Sequence, residues 1–86
     1  MNKVQPRPIR AIRTRYLGHT NTLPSRVVAS TDTGHRETLS TSGFDSNEEA
    51  HFATAQFLAD KLGWGKFQGA GVYEGDYYWV LAHKEN

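Results

Sequence analysis

Ser46-Asn47-Glu48-Glu49-Ala50-His51-Phe52-Ala53-Thr54-Ala55-Gln56-Phe57-Leu58-Ala59-Asp60-Lys61-Leu62-Gly63 is the one segment with a sustained helical period. Ser46 and Glu49 stand three apart in capping-box form, the serine accepting from the Glu49 amide while the glutamate reaches back. Phe52, Ala55, Leu58, Ala59 and Leu62 recur at helical spacing and form an apolar stripe. Gly63 follows where a left-handed residue ends the helix. Phe57, with Ala50 and Ala53, falls roughly opposite that stripe. Phe57 is therefore expected either under the 32–44 segment or on a surface that meets a partner, because one sheet cannot cover both sides of a helix.

Strand signals flank the helix on both sides. From Ile9 to Leu17 the residues alternate, with Ile12, Thr14 and Tyr16 in one phase and Ala11, Arg13 and Arg15 in the other. Gly18 to Pro24 is loop chemistry, and Ser25 to Thr31 resumes as a second strand. Asp32-Thr33-Gly34 reads as a turn before a short third strand at Arg36 to Ser40. After the helix, Phe67–Tyr73 and Tyr77–His83 form a hairpin. Taking Gly75-Asp76 as a two-residue type II′ loop pairs Val72 with Trp79, Ala70 with Leu81 and Tyr73 with Tyr78. The expected fold is α+β: an antiparallel sheet of four to five strands with one helix on one face, in the order β-β-(β)-α-β-β. Residues 9–84 form the single domain, and 1–8, with Pro6 and Pro8, read as a flexible N-terminal arm.

At 86 residues the chain holds one core, and a chain of this size buries only about 60–65% of the surface its unfolded form exposes. Two Trp, four Tyr and four Phe must supply much of that core, because each aromatic ring buries roughly 150–250 Å². The absence of cysteine excludes disulfides, thiolate nucleophiles and thiolate metal sites, and fits a reducing compartment. The apolar runs are too short for a membrane span or a signal peptide. The expected address is the cytoplasm of a host cell, with no membrane partner.

The net charge of +1 hides an asymmetry. Residues 1–36 carry Lys3, Arg7, Arg10, Arg13, Arg15, Arg26 and Arg36 against Asp32 alone, seven against one, or +6. Residues 37–86 carry three lysines against eight carboxylates, or −5. Six of the seven N-terminal cations are arginine, whose planar guanidinium suits phosphate and carboxylate better than an ammonium does.

The block Thr14-Arg15-Tyr16-Leu17-Gly18, followed by Thr20-Asn21-Thr22 and Ser25-Arg26-Val27, resembles a family of small proteins encoded by phages, plasmids and related mobile elements. The likeness runs on through the alanine-rich helix, Leu62-Gly63-Trp64 and the aromatic hairpin at Tyr77 to Val80. His19 and Leu23-Pro24 depart from its pattern, which has a proline and a basic-glycine pair there. The resemblance assigns no activity and no site residue. It implies a context, an accessory gene of a mobile element, in which anti-CRISPR-like inhibitors of host defence are frequent.

Nothing in the chain spells out catalysis. His19, His35, His51 and His83 are too scattered for a zinc pattern. His51 near Glu48 and Glu49 has the residue types of an acid/base cluster, but no nucleophile, base and orienting group come together. Gly63-Trp64-Gly65 and Gly69-Ala70-Gly71 lack the strand-loop-helix order of a phosphate loop. The chain is therefore expected to be a binding module, not an enzyme, with no cofactor and no metal. Arg13 and Arg15, with Arg10 and Arg26 nearby, and Tyr73 and Tyr78 are the candidate contacts for nucleic acid or a nucleoprotein, since guanidinium groups and aromatic platforms together hold single strands. Two alternatives stand beside this: a stoichiometric inhibitor docking on a host defence protein, with Phe57 among its contacts, and a homodimer formed through uncapped sheet edges.

Overall fold

A computed structural model describes residues 9–82. The proposed arm at 1–8, and the expected extension of the last strand to His83, lie outside the described residues. The described chain contains strands β1 (Ile9–Leu17), β2 (Arg26–Ser30) and β3 (Arg36–Ser40), helix α1 (Asn47–Leu62), and strands β4 (Gly69–Tyr73) and β5 (Asp76–Ala82). All five strands join one antiparallel sheet in the order β3-β2-β1-β5-β4. The expected α+β class, with one helix on one sheet face, is the architecture observed.

β1 is central because both of its edges meet partners whose alternation matches its own. Thr14 faces Ala29 on β2 and Tyr77 on β5, and Ile12 faces Trp79. Paired residues share a face, so Ile12, Thr14, Val27, Ala29, Trp79 and Leu81 all point toward α1 and are buried. Ile12, Ala29, Ala55, Leu58, Ala59 and Trp79 form the core cluster, with Leu62, Trp64, Phe67 and Tyr77 packed against it.

The caps of α1 are those read from the sequence, with one shift. The Glu49 amide donates to Ser46 Oγ (3.2 Å), but the Glu49 carboxylate accepts from the amide of Asp45, not Ser46 (3.3 Å). At the other end Gly63 is left-handed (φ 68°), its amide donates to the Asp60 carbonyl, and the Trp64 amide donates to Ala59 (2.9 Å). This Schellman closure swings Trp64 back onto the core.

The face that α1 buries is rotated from the expected stripe. Ala50, His51, Thr54, Ala55, Leu58 and Ala59 are buried, whereas Phe52 is 48% exposed. Small side chains let the helix lie close on β1 and β2, which leaves no room for a phenyl ring between them. Phe52 instead reaches sideways, its ring edge-on to Trp79 (5.6 Å) and Phe67 (6.1 Å).

The last hairpin also differs from expectation. Its two-residue loop is Glu74-Gly75, with both residues at positive φ (51° and 85°), so the turn is of type I′ and not II′. Ala70 faces Trp79, Gly71 faces Tyr78 and Val72 faces Tyr77. The register is two residues away from the expected one, and a two-residue slip keeps every side chain on its face.

Candidate functional site

The sheet face turned away from α1 is where the sequence's candidate residues meet. Strand alternation and register place Arg13 and Arg15 of β1, Arg26 of β2, Arg36 of β3, Tyr78 of β5 and Tyr73 of β4 on this open face. Four guanidinium groups thus share a surface with two phenol rings. Tyr73 is 66% exposed, and Tyr78 sits between Arg13 on one neighbouring strand and Gly71 on the other. Val28, on the same face, is nearly buried among these longer side chains; it lies opposite Arg15 and Thr38. Arginine stems commonly cover apolar sheet surface in this way while the charged heads stay in water.

Asp76 organises the middle of the site. Arg15 donates to Asp76 Oδ2 from Nε (3.4 Å) and Nη2 (3.2 Å), and Arg13 Nε stands 3.8 Å from the same oxygen. One carboxylate therefore holds two guanidiniums side by side. Each keeps most of its five N–H donors free. Arg26 Nη1 donates to the Pro24 carbonyl (3.3 Å), which ties it to the loop at the far end of the face. A shallow depression of about 370 Å³ runs between Arg13, Arg15 and Arg36 with Ser30 and Thr31. A second, of about 560 Å³, lies between Arg13, Arg15, Tyr73 and Tyr78 with Asp76 and Glu74.

Two of the expected contacts do not join this surface. Arg10 is in phase with Ile12 and Thr14 and therefore lies on the helix side, where its guanidinium covers the Trp64 ring at 5.2 Å. Phe57 also lies on the helix side, 37% exposed, with the Lys61 ammonium 4.9 Å from its ring and Lys61 bridged to Glu37 of β3 (2.9 Å). Arg36 and Asp76 belong to the site and were not singled out from the sequence. The alternation Arg36-x-Thr38-x-Ser40 against Glu37-x-Leu39 was the available signal for Arg36; Asp76 carried none.

His51 is part of the core, not of an acid/base cluster with Glu48 and Glu49, which are exposed. The Trp79 indole, a donor only, gives its N–H to Thr14 Oγ1 (3.0 Å). Thr14 Oγ1 is also hydrogen-bonded to His51 Nδ1 (2.7 Å), the imidazole tautomer setting which of the two donates. The ring stacks on Tyr77 at 4.2 Å. Burial pushes the His51 pKa below its ordinary value, and the negative charge of Asp76 offsets part of that fall.

The chain matches no family model, no curated protein and no solved structure. The resemblance to the mobile-element family thus rests on the residues quoted for it, and the site is read from its own geometry. Among the described residues no cluster of His, Asp and Glu is arranged to hold a metal ion, and no helix is long and apolar enough to cross a membrane.

A second concavity lies on the helix side. α1 covers β1, β2 and β3, and the hairpin β4–β5 extends beyond it. The resulting groove, about 690 Å³, is lined by Phe44, Phe52, Ala70, Val72, Tyr77 and Trp79, with Glu48 and Glu49 also along its wall.

Proposed function

We propose that the chain is a non-enzymatic binding module that holds single-stranded nucleic acid, free or within a nucleoprotein, on its open sheet face. The observation that carries this reading is the shared phase of Arg13, Arg15, Arg26, Arg36, Tyr73 and Tyr78 on the one face that no helix covers. Guanidinium groups neutralise phosphates, and the exposed ring of Tyr73 beside the half-buried ring of Tyr78 offers a stacking platform to unpaired bases. Asp76 gathers Arg13 and Arg15 around one carboxylate oxygen, and a phosphate can take the place of that carboxylate. An accessory role in a mobile element, acting inside a host cell, agrees with this chemistry.

Fluorescence anisotropy with labelled single strands, repeated over a range of salt, tests the reading. Affinity should fall steeply with salt, and replacing Arg13 and Arg15 together by alanine should lower the log–log slope by about 0.7–0.9 per lost contact. Tyr78→Ala should weaken binding and leave the slope unchanged, since stacking releases no counterions. Asp76→Asn, which removes the carboxylate competing for both guanidiniums, should tighten binding. If no nucleic acid binds more tightly than about 10⁻⁴ M, the ordinary non-specific range, the reading fails. The apolar groove beside α1 would then favour the second reading, a stoichiometric inhibitor docked on a host protein.

A further inference from the structure

We infer that the outer edge of β4 is a self-association surface, through which two copies of the chain join their sheets about a two-fold axis at Gly71. The hydrogen-bond phase of the hairpin decides which backbone groups of β4 face outward. In a two-residue type I′ hairpin the residues flanking the loop, here Tyr73 and Asp76, exchange both of their backbone bonds. The alternation then turns the N–H and C=O groups of Ala70 and Val72 away from β5, toward the open edge.

The two edges of the sheet are defended differently. β3 carries Arg36 and Glu37, and Glu37 is bridged to Lys61. β4, Gly-Ala-Gly-Val-Tyr, has no charge and no proline and is exposed along its whole length. Sheet edges left in that state pair with other strands.

A second copy of β4 fits this edge residue by residue. An antiparallel pair centred on Gly71 sets Ala70 of one chain against Val72 of the other, the pair that exchanges hydrogen bonds. It sets Gly71 against Gly71 at the closer, non-hydrogen-bonded spacing of about 4.5 Å, where the absence of side chains lets the backbones meet. Tyr73 then lies across from Gly69 of the other copy, and a ring over a bare glycine is a favourable cross-strand pair. Among the described residues nothing requires glycine at 71: a Cβ there would meet none of their atoms within 4 Å. Charge agrees with the same register, because the end of one β4, with Glu74, comes beside the start of the other, where Lys66 lies. Among the described residues neither of these two is in an ion pair.

A two-fold axis perpendicular to the sheet keeps both open faces on one side. The consequence, which rests on the proposed nucleic-acid reading, is a continuous surface bearing two sets of the arginine and tyrosine residues, able to hold one longer strand.

Sedimentation velocity over a range of concentration, without nucleic acid, tests the association apart from any binding activity. The mass of the wild-type chain should rise toward that of two chains. Val72→Pro removes an N–H that points outward, and should melt as the wild type does yet remain a single chain at every concentration. Gly71→Lys, which sets two ammonium groups face to face at the axis, should do the same. Thr38→Lys on the β3 edge should leave association intact. A wild-type mass that stays at one chain overturns the inference, as does association that survives both β4 substitutions or is lost on Thr38→Lys. If the dimer forms, a long oligonucleotide should bind the wild type at least about tenfold more tightly than Val72→Pro, whereas a short one should not distinguish them. A dimer that binds no nucleic acid would leave the inference standing and remove only the open-face reading.

Discussion

Under α1, strands β1 and β2 carry Ile12, Thr14, Val27 and Ala29 with no exposed surface, while across the sheet β4 is exposed from end to end. Both regions are antiparallel ladders of five residue pairs, β1 and β2 joined by the loop 18–25 and β4 and β5 by a two-residue turn. They differ in what lies above them. Small side chains on α1, mainly alanine, bring the helix down onto β1 and β2, whereas the groove beside β4 and β5 stays open between Phe44, Glu48, Glu49 and the sideways ring of Phe52. Folding energy is thus concentrated in the helix-covered half. β4 is held by its backbone ladder and one turn, and its outer edge can exchange partners without disturbing the core.

The sharpest test of that contrast is truncation on the covered side. Leu58→Ala should cost about 2–5 kcal/mol in urea denaturation, enough to leave a domain of this size barely folded. A loss under about half a kcal/mol would place the stability elsewhere. Thr14→Val follows. It keeps the shape but strips a partner from both the Trp79 indole and the His51 imidazole, so a loss of about 1–3 kcal/mol is expected; a neutral result would mean that water reaches this network.

His51 makes the helix-covered half sensitive to pH. His51 in the folded chain holds its proton less tightly than in the unfolded chain, whose pKa is near 6.5. Above that value the imidazole is neutral in both states and contributes no pH dependence. As pH falls below it, the unfolded chain takes up the proton first, so stability is progressively lost toward the lower folded pKa. Melting temperature should therefore decline on acidification, and His51→Gln should flatten that part of the decline. An unchanged slope would show that the burial of His51 does not govern it.

On the open side the smallest effect is expected. Val72→Ala should change stability by no more than about half a kcal/mol, in line with exposed positions generally. A loss as large as that of Leu58→Ala would erase the distinction between the halves.

Much of the fold was legible because it depends on local chemistry. Ser46, Glu49 and Gly63 mark the helix, and the alternation around Ile12 marks β1 as a strand with two different faces. The hairpin loop was misplaced because a type I′ turn puts Glu74 at φ 51°, where glycine, asparagine or aspartate is usual; the pairing of β5 with β1 and of Asp76 with Arg13 and Arg15 overrides that preference. The helix stripe was misphased at Phe52 because hydrophobicity alone does not say how close a helix will lie. For the site, parity was enough within a strand: Arg13 and Arg15 share a phase, and Arg10, in step with Ile12, was already on the other side. Between strands parity says nothing, so the positions of Arg26 and Arg36 became readable only with the register.

The strand order has a temporal meaning as well. β1, the middle of the sheet, is the first described strand to leave the ribosome, and β5, which must flank it, is the last. Until β5 arrives, β1, β2, β3 and α1 can assemble with one side of the central strand bare. Pairing between such distant segments is slow because the loop must close before contacts reward it. A nascent or truncated chain that ends before Asp76 therefore lacks Trp79 beside Ile12 and leaves the inner edge of β1 unpaired, a combination prone to aggregate.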